Sequence, residues 1–510
     1  MQPLVTSAQM QEIDRSAISE LGMPELLLME HAALAVVKAL MARFGGTLID
    51  TSGIILAGVG KNGGDALAVA RILNSMGLRK NFVGMVGTPN ALSVNTKTQL
   101  EILERLGVPV VWPKKSESEP ELFENCDWIV DGFFGTGLSR EIKEPYLHWI
   151  KKINRYGAQK WIVSIDLPSG LHSDTGHPMP IAVMASETVT LGFIKRGLVT
   201  GPASDYVGKL TLESIQIPRA IPFSIGAYLY GPEDASKLPH RKTSSHKGDY
   251  GHVYVWASEE NKQGACILSS LGALRTGAGR VTVVGEKETL KTLRQRLPPE
   301  IMTEEIGENI FKNPKGVWIQ GPGMGSGLEE KIPMKYLAMA IKAKWRCILD
   351  ADALNLLAAN PKQLIPILQK ASIDQLVLTP HPKEAARLLG ISVSEVEADR
   401  FQSAKKLSEK YGATVVLKGK GTVVQLPSEA AIIVTSGDTG LAKGGSGDLL
   451  CGILGAFLAQ GLSMVEAIPL GVYVHGKVSE RVTQAFGHSR STVATDLLFQ
   501  IPEVLRELET

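Results

Sequence analysis

"GIILAGVGKNGGDALAVARILNSMG", Gly53 to Gly77, decides the fold. GIILAGVG opens as an apolar run of strand length, KNGGD is a turn, and ALAVARILNSMG repeats its apolar residues at helical spacing. A fully apolar strand, a tight turn and a helix make one unit of a parallel sheet covered by helices. The alternation recurs outward. "NFVGMVG", "DWIVDGFFG" and "WIVSIDLPSG" read as strands ending in loops, and later "HVYVWAS", "RVTVVG", "GVWIQGPG", "RCILDADALN", "QLVLTPHPKE", "ATVVLKGKG" and "AAIIVTSG" do the same. These are too many strands for one sheet, and 510 residues are too many for one core. The break falls in "IQIPRAIPFSIGAYLYGPEDASKLPHRKTSSHKGDYG", rich in Pro and Gly and without helical periodicity. A boundary near Pro218 to Tyr228 predicts domains over residues 1–220 and 225–510. The expected class is α/β, with two three-layer αβα domains. No short internal repeat is evident.

Composition narrows the function classes. The chain is 44% hydrophobic and 21% charged, which is globular. A net charge of +2 gives no bulk electrostatic case for nucleic acid or an anionic membrane. Cys126, Cys266, Cys347 and Cys451 lie far apart, without CxxC spacing or a disulfide framework, which fits a reducing, cytoplasmic setting. "MQPLVTSAQMQEIDRSAISELG" has no apolar core of a signal peptide. "LLCGILGAFLAQGL" is too short and too Gly-rich to span a bilayer and reads as a buried helix.

In open α/β sheets ligands bind outside the carboxyl ends of strands, so the post-strand loops carry the search. Gly58, Gly60 and Gly63 spell G-x-G-x-x-G between a strand and a helix, a pattern for a phosphate on a helix N-terminus. The acid expected on the next strand for a ribose is missing from "GLRKNFVGMVG", which speaks against a standard NAD-dehydrogenase fingerprint. A tight turn packed on the sheet would explain the glycines alone; it explains Asn62 and Asp65 less well. Asp131 and Asp166 end two further strands, Asp166 ahead of Pro168, Ser169 and Gly170. A lone Asp there is most often a cap or turn residue, but three polar strand ends in one domain favour a shared site. Asn, Asp and Ser oxygens suit a hard cation.

At this point the residues carry a resemblance. "GVGKNGGDALAVAR", "DGFFGTGL" and "DLPSGLHSDTG" resemble the NAD(P)H-hydrate epimerase family. "HKGDYGHV", "GALRTGAGRVTV", "GPGMG", "DADALN", "TPHPKEAARLLG", "LKGKGT" and "AKGGSGDLLCGILGAFLAQG" resemble the nucleotide-dependent NAD(P)H-hydrate dehydratase family. Together, in this order over almost the whole chain, they are similar to the fused bifunctional hydrate-repair enzymes of prokaryotes. The resemblance implies a Rossmann-like N-terminal sandwich that interconverts R and S hydrates of NADH and NADPH (NADHX and NADPHX). It implies a ribokinase-like C-terminal domain that dehydrates the S form with a nucleotide, ADP in the fused prokaryotic members and ATP as the alternative, and Mg²⁺ with the nucleotide. A homo-oligomer is expected.

Carried over residue by residue, the resemblance assigns Lys61, Asn62, Gly63, Gly64 and Asp65, then Gly135, Thr136, Gly137, Leu138, Ser139, Arg140 and Glu141, and Asp166, to the epimerase substrate. It assigns Asn62, Asp131 and Ser169 to K⁺. Ala265, Gly323, His381 and Asp448 fall on dehydratase substrate contacts. Lys418, Gly419, Lys420, Gly421 and Thr422, with Asp438, Thr439, Gly440, Leu441, Ala442, Lys443, Gly444, Gly445, Ser446 and Gly447, fall on the nucleotide. The chain departs from the family pattern at Lys61 and Ala66, at His172, in "EENKQGAC" and in "HPKE".

The chemistry fits these residues. Hydroxide is a poor leaving group, and phosphorylating it makes a good one; that needs a base at the hydroxyl and positive potential at the phosphoryl group. Backbone N–H groups of Gly444 to Gly447 and the following helix supply the potential, and Asp448 supplies the base. Asp166 is the corresponding catalytic acid–base candidate in the other half. His381 could equally be structural, since Pro380 and Pro382 hold its loop and Glu384 starts a helix. Asp350 and Asp352 could assist Mg²⁺, or Asp352 could cap a helix at Ala353. Trp256 and Trp318 read as core. The rivals are a ribokinase-type small-molecule kinase with an accessory domain, and a silent nucleotide-binding module; a retained base at Asp448 disfavours the second.

Overall fold

The structure, a computed structural model, describes residues 1–113, 119–218, 224–235, 238–239, 241–257, 259–312, 316–325 and 329–509. It divides into two compact units, Pro3–Gly226 and Ala227–Thr510, the second taking Met1–Gln2 with it. Residues 219–223, at the centre of the expected connector, lie outside the described residues.

In the N-terminal unit parallel strands run in the order Val110–Val111, Asn81–Met85, Gly53–Ala57, Trp128–Gly132, Trp161–Ile165, Glu187–Leu191, Lys209–Glu213. Gly53–Ala57 is buried at every residue, as a strand covered on both faces must be. The chain steps outward from it to Asn81–Met85, then returns to Trp128–Gly132 on its other side. This reversal opens a crevice beyond the carboxyl ends of the two central strands. Helix Lys61–Ser75 starts directly on the first of them: a Cβ at Gly63 would collide with the Gly58 carbonyl oxygen.

Helix Glu25–Phe44 belongs to a segment long and apolar enough to cross a membrane by length and composition. Its Leu28, Met29, Ala32, Ala33, Val36, Val37 and Leu40 are buried in the unit's core, while Glu25, Glu30 and Lys38 pair with Lys61, Arg71 and Glu213. It is a core helix of this unit.

The C-terminal unit orders its strands Met302–Glu305, Arg280–Gly285, His252–Trp256, Val317–Gln320, Arg346–Leu349, Leu376–Leu378, Thr414–Leu417, Thr422–Gln425, Ala431–Val434, Ala227–Tyr230. Its reversal lies between His252–Trp256 and Val317–Gln320. Trp256 and Trp318 are core residues. "LLCGILGAFLAQGL" contributes to a buried helix, Ser446–Ala459, which packs against helix Gln263–Arg275 so closely that a Cβ at Gly452 would strike the Ser269 carbonyl oxygen.

Two expectations need correction. The second sheet is not wholly parallel, because Thr422–Gln425 runs antiparallel to both neighbours. Only Lys418 to Gly421 separate it from Thr414–Leu417, too short a link for a crossover. Ala227–Tyr230, inside the stretch read as connector, is also a strand, paired in parallel with Ala431–Val434.

Candidate active sites

The N-terminal crevice holds a cavity of about 790 Å³. Lys61, Asn62 and Asp65 enter it from the first turns of helix Lys61–Ser75, and Gly135, Thr136, Gly137 and Leu138 from the loop after Trp128–Gly132. Asp166 enters from the end of Trp161–Ile165. Gly63 and Gly64 are buried in helix packing, Gly64 beside Met29 and Thr96, and are not cavity-lining. Ser139, Arg140 and Glu141 are exposed and also outside the lining.

Asp166 sits at φ 67°, a left-handed conformation costly for a non-glycine residue and often found at functional sites. Its Oδ1 accepts from the Leu191 N–H at 3.3 Å and pairs with the Lys195 ammonium; its Oδ2 accepts from the Thr136 N–H at 3.3 Å. Lys195, only 1% exposed, also donates to the Leu191 carbonyl at 2.8 Å and the Thr190 hydroxyl at 3.2 Å. Three more acids face the cavity: Glu25, paired with Lys61, and Asp65 and Asp14. Burial pushes Asp65 well above the usual carboxylate range, with Asp166, Glu25 and Asp14 adding to it. Burial also pushes Asp14 up to about 6, Lys195 opposing.

Asp131, wholly buried, accepts from the Ser169 N–H at 2.8 Å and the Ser164 hydroxyl at 2.9 Å; burial raises its pKa against these bonds. The Ser169 hydroxyl accepts from the Phe134 N–H at 3.0 Å. Asn62 comes to this place from a helix, not a strand end as the sequence reading had it. Its Oδ1 and Asp166 Oδ2 lie 3.4 and 3.1 Å from the point a Cβ on Gly135 would take, and its Nδ2 is buried with no partner among the described residues. The free Nδ2 is a donor and speaks for an acceptor on a ligand; the amide Oδ1, converging with Asp166 Oδ2 on one point, is the atom a hard cation with oxygen ligands could use.

In the C-terminal unit the two loops expected to contact a nucleotide meet. Gly445, at φ 93°, caps helix Ser446–Ala459 with no side-chain hydrogen bond; the Ser446 N–H makes a long bond of 3.5 Å to the Lys443 carbonyl, and no capping side chain covers the helix N-terminus where an anion could approach. Ser446 turns back instead, its hydroxyl donating to the Leu441 carbonyl at 2.7 Å. Lys418 donates to Asp350 Oδ1 at 2.8 Å, and the pair lies against Gly447: a Cβ there would be 3.3 Å from the Lys418 Nζ and 3.7 Å from Asp350 Oδ2. Burial pulls the Lys418 ammonium down, but the Asp350 and Glu384 carboxylates outweigh it and raise its pKa. Asp448 occupies the first turn, and burial with Asp350 pushes it up to about 6.

The neighbouring loops are braced. Lys420 donates to the Gly437 carbonyl at 2.8 Å, tying Lys418–Thr422 to the Asp438 loop. Thr422 donates to the Gly419 carbonyl at 2.9 Å. Asp438 caps Thr439–Leu441 through the Gly440 N–H at 2.8 Å and accepts from Ser479 at 2.6 Å; these bonds outweigh burial and lower its pKa. Lys443 donates to the Arg490 carbonyl at 2.7 Å, and Ala442 and Gly444 are exposed. Ala265 and Gly323 come together, the Ala265 Cβ 3.3 Å from where a Gly323 Cβ would be.

His381 caps helix Pro382–Leu389, its Nδ1 accepting from the Lys383 N–H at 3.1 Å and the Glu384 N–H at 3.3 Å. Burial, then Lys418, lowers its pKa, which favours the neutral ring. Asp352 is not the cap of helix Ala351–Ala359: Asp350 holds the N-cap position, and Asp352 accepts from the Gly325 N–H at 2.8 Å and Lys262 at 3.3 Å.

The sequence reading missed Asp14 and Lys195. Asp14 had a signal, since it stands four residues from Met10 and from Ile18 on a core-facing helical stripe, where an acid is out of place. Lys195 had none.

Residues 253–503 match the family model described as NAD(P)H-hydrate dehydratase, and residues 25–197 match that described as YjeF-related protein N-terminus. The chain is 36% identical over 506 residues to the bifunctional NAD(P)H-hydrate repair enzyme of Coxiella burnetii, covering 98% of each. It is 34% identical to that of Escherichia coli K12, covering 89% of this chain and 84% of the relative. Among solved structures, the ADP/ATP-dependent NAD(P)H-hydrate dehydratase of Bacillus subtilis, co-crystallised with ATP/Mg²⁺, is 26% identical and has a TM-score of 0.47. The match covers 56% of this chain and 100% of that one.

Proposed function

The chain belongs to the bifunctional NAD(P)H-hydrate repair enzymes, with dehydratase and epimerase activities, and from that premise we propose how its residues divide the work. Residues 1–220 epimerise the R and S hydrates, and residues 225–510 dehydrate the S hydrate with ADP as donor, giving AMP and phosphate. The observation that carries the second assignment is Asp448 on the first turn of a helix whose N-terminus is capped by glycine and backed by the Lys418–Asp350 pair.

Asp448 takes the proton of the substrate hydroxyl as that oxygen attacks the terminal phosphorus. The backbone amides of Gly444 to Gly447 hold the phosphoryl oxygens, and Lys418 adds positive charge behind Gly447. The phosphate then leaves with the C–O bonding pair, and loss of a proton from the adjacent ring carbon restores the double bond. Ala265, Gly323 and His381 border the nicotinamide side. Lys418–Thr422 and Asp438–Gly447 hold the nucleotide, which carries its own Mg²⁺.

In the N-terminal unit Asn62, Asp131 and Ser169 would hold K⁺, which would supply positive charge to the site; Asp166 and the Lys61–Asp65 and Gly135–Leu138 segments contact the hydrate. Purified R and S hydrates offered to the full chain with ADP or with ATP test the whole reading. ADP should restore NADH absorbance from the S hydrate at once, and from the R hydrate only as it epimerises. Turnover with ATP alone overturns the donor assignment, and no turnover of either epimer overturns the function.

A further inference from the structure

Hydration of a dihydronicotinamide protonates the β-carbon of the enamine and puts the hydroxyl on the carbon bonded to ring nitrogen. Inverting that carbon requires a bond to it to break and re-form. The least demanding route opens the C–N bond. The hydroxyl loses its proton and becomes a carbonyl, the C–N pair passes to nitrogen, and nitrogen takes a proton. Rotation about the adjacent C–C bond followed by the reverse steps gives the other epimer, with every proton returned. Such a route needs one group to accept the hydroxyl proton and another to give a proton to nitrogen.

The cavity contains two carboxyls in opposite circumstances. Asp166 accepts hydrogen bonds at both oxygens, from Lys195, the Leu191 N–H and the Thr136 N–H, and is placed as the group that receives. Asp14, on helix Ser7–Ser19, also lines the cavity, yet its Oδ1 is buried with no hydrogen-bond partner among the described residues. A buried, unpartnered carboxyl oxygen is costly as an anion and far less so as an acid. The charged groups around it are Arg15 on its own helix, Glu25 on the next, Lys61 and Asp65 on helix Lys61–Ser75, and Asp166 and Lys195. Burial, with Asp166 and Glu25, outweighs Lys195 and Lys61 and brings Asp14 to about 6.

We infer that Asp14 is the proton donor to the ring nitrogen in epimerisation, working opposite Asp166, which receives the hydroxyl proton. The inference rests on the assignment of epimerisation to this unit. Its nearest rival within the cavity is Asp65, also buried and also raised.

The test starts from one pure epimer, follows the other by chromatography with the full chain in K⁺ buffer, and subtracts the enzyme-free rate. The wild-type rate should fall as pH rises through about 6, because the acid form is the active one. A rate that climbs instead overturns the inference without any variant. Asp14→Asn should lose roughly 10²–10⁴-fold in epimerisation and lose this limb of the profile, while dehydration of the S hydrate confirms that the protein is folded. Asp14→Glu should restore part of the rate and the limb. An Asp14→Asn protein that retains the limb, or that epimerises near the wild-type rate, overturns the inference; if Asp65→Asn alone loses the limb, Asp65 is the donor. Failure of the wild type to epimerise removes the underlying assignment, and this inference with it.

Discussion

The two sites stand at equivalent places, beyond strand ends where the sheet order reverses or the chain turns into a helix, yet they are charged in opposite ways. Around Gly445 to Gly447 the surface offered to a ligand is backbone N–H, backed by a Lys418 ammonium, with Asp448 beside it. The cavity around Asn62 and Gly135 offers carboxyls: Asp14, Glu25, Asp65 and Asp166, against one buried ammonium, Lys195, among the described residues. The difference follows from what each must move. A phosphoryl group carries negative charge and needs converging donors, whereas a proton needs acids and bases poised near the working pH. The glycine-rich turn is thus ambiguous by itself. In one unit Gly63 serves helix packing, and in the other Gly445 leaves a helix N-terminus open.

The comparison breaks first at Asp448. Asp448→Asn keeps the shape and removes the base, so dehydration should fall roughly 10²–10⁴-fold with epimerisation intact. Recovery of NADH absorbance from the S hydrate reads it; near-normal turnover by the folded variant would return Asp448 to a first-turn charge worth about 0.3–1 kcal/mol. Lys418→Met comes next. It strands Asp350, 2% exposed, whose other oxygen is met only by the weak Cys451 donor at 3.3 Å among the hydrogen bonds of the described residues. Breaking such a buried pair costs about 3–5 kcal/mol, discounted here because the Lys418 side chain is 21% exposed. Denaturant unfolding of the C-terminal unit should show the loss, and Asp350→Asn made with Lys418→Met should recover part of it.

On the other side of the comparison, replacing K⁺ by a bulky organic cation should slow epimerisation several-fold and leave dehydration close to normal, since the proposed ligands Asn62, Asp131 and Ser169 all lie in the N-terminal unit. Equal losses in both activities would mean that the cation acts elsewhere.

Much of this was legible in the sequence because parallel strands buried on both faces announce themselves as uninterrupted apolar runs. Gly53–Ala57 is such a run, and Trp128–Gly132 and Val317–Gln320 are apolar up to Asp131 and Gln320 near their carboxyl ends. Glu187–Leu191 is buried at every residue yet carries Glu187, Thr188 and Thr190, and partners outside the strand meet that polarity: Lys209 and Thr211 for Glu187, the Val207 carbonyl for Thr188 and Lys195 for Thr190. Thr422–Gln425 was hidden for another reason: the four residues before it had been read as nucleotide contacts, and the same short glycine-rich link also makes a reversal. In the sites, residues within one motif were legible. What was not legible was pairing at long range, Lys195 with Asp166 and Lys418 with Asp350, because nothing in one sequence ties residues so far apart. His381 was open between two roles, and its capping bonds fix one of them without removing it from the site border.

The smallest effect is also the sharpest test of how alike the two acids are. Burial, then Asp350, pushes Asp448 up to about 6 against Lys418, while an unfolded chain titrates it at 3.8. The folded protein therefore holds this proton more tightly. Its contribution to stability is full below 3.8, declines as pH rises, and is gone above about 6. Asp14 follows the same course in the N-terminal unit. Asp448→Asn should flatten the pH dependence of C-terminal unfolding across that window, and Asp14→Asn that of N-terminal unfolding, each modestly because both residues are partly solvent-exposed. Activity separates them. As a base, Asp448 works ionised, so dehydration rises with pH through about 6 while stability falls. As a donor, Asp14 works protonated, so epimerisation and stability fall together. If the two rates instead move in the same direction with pH, one of the two acids has been given the wrong role, and the variant whose rate profile stays unchanged identifies which.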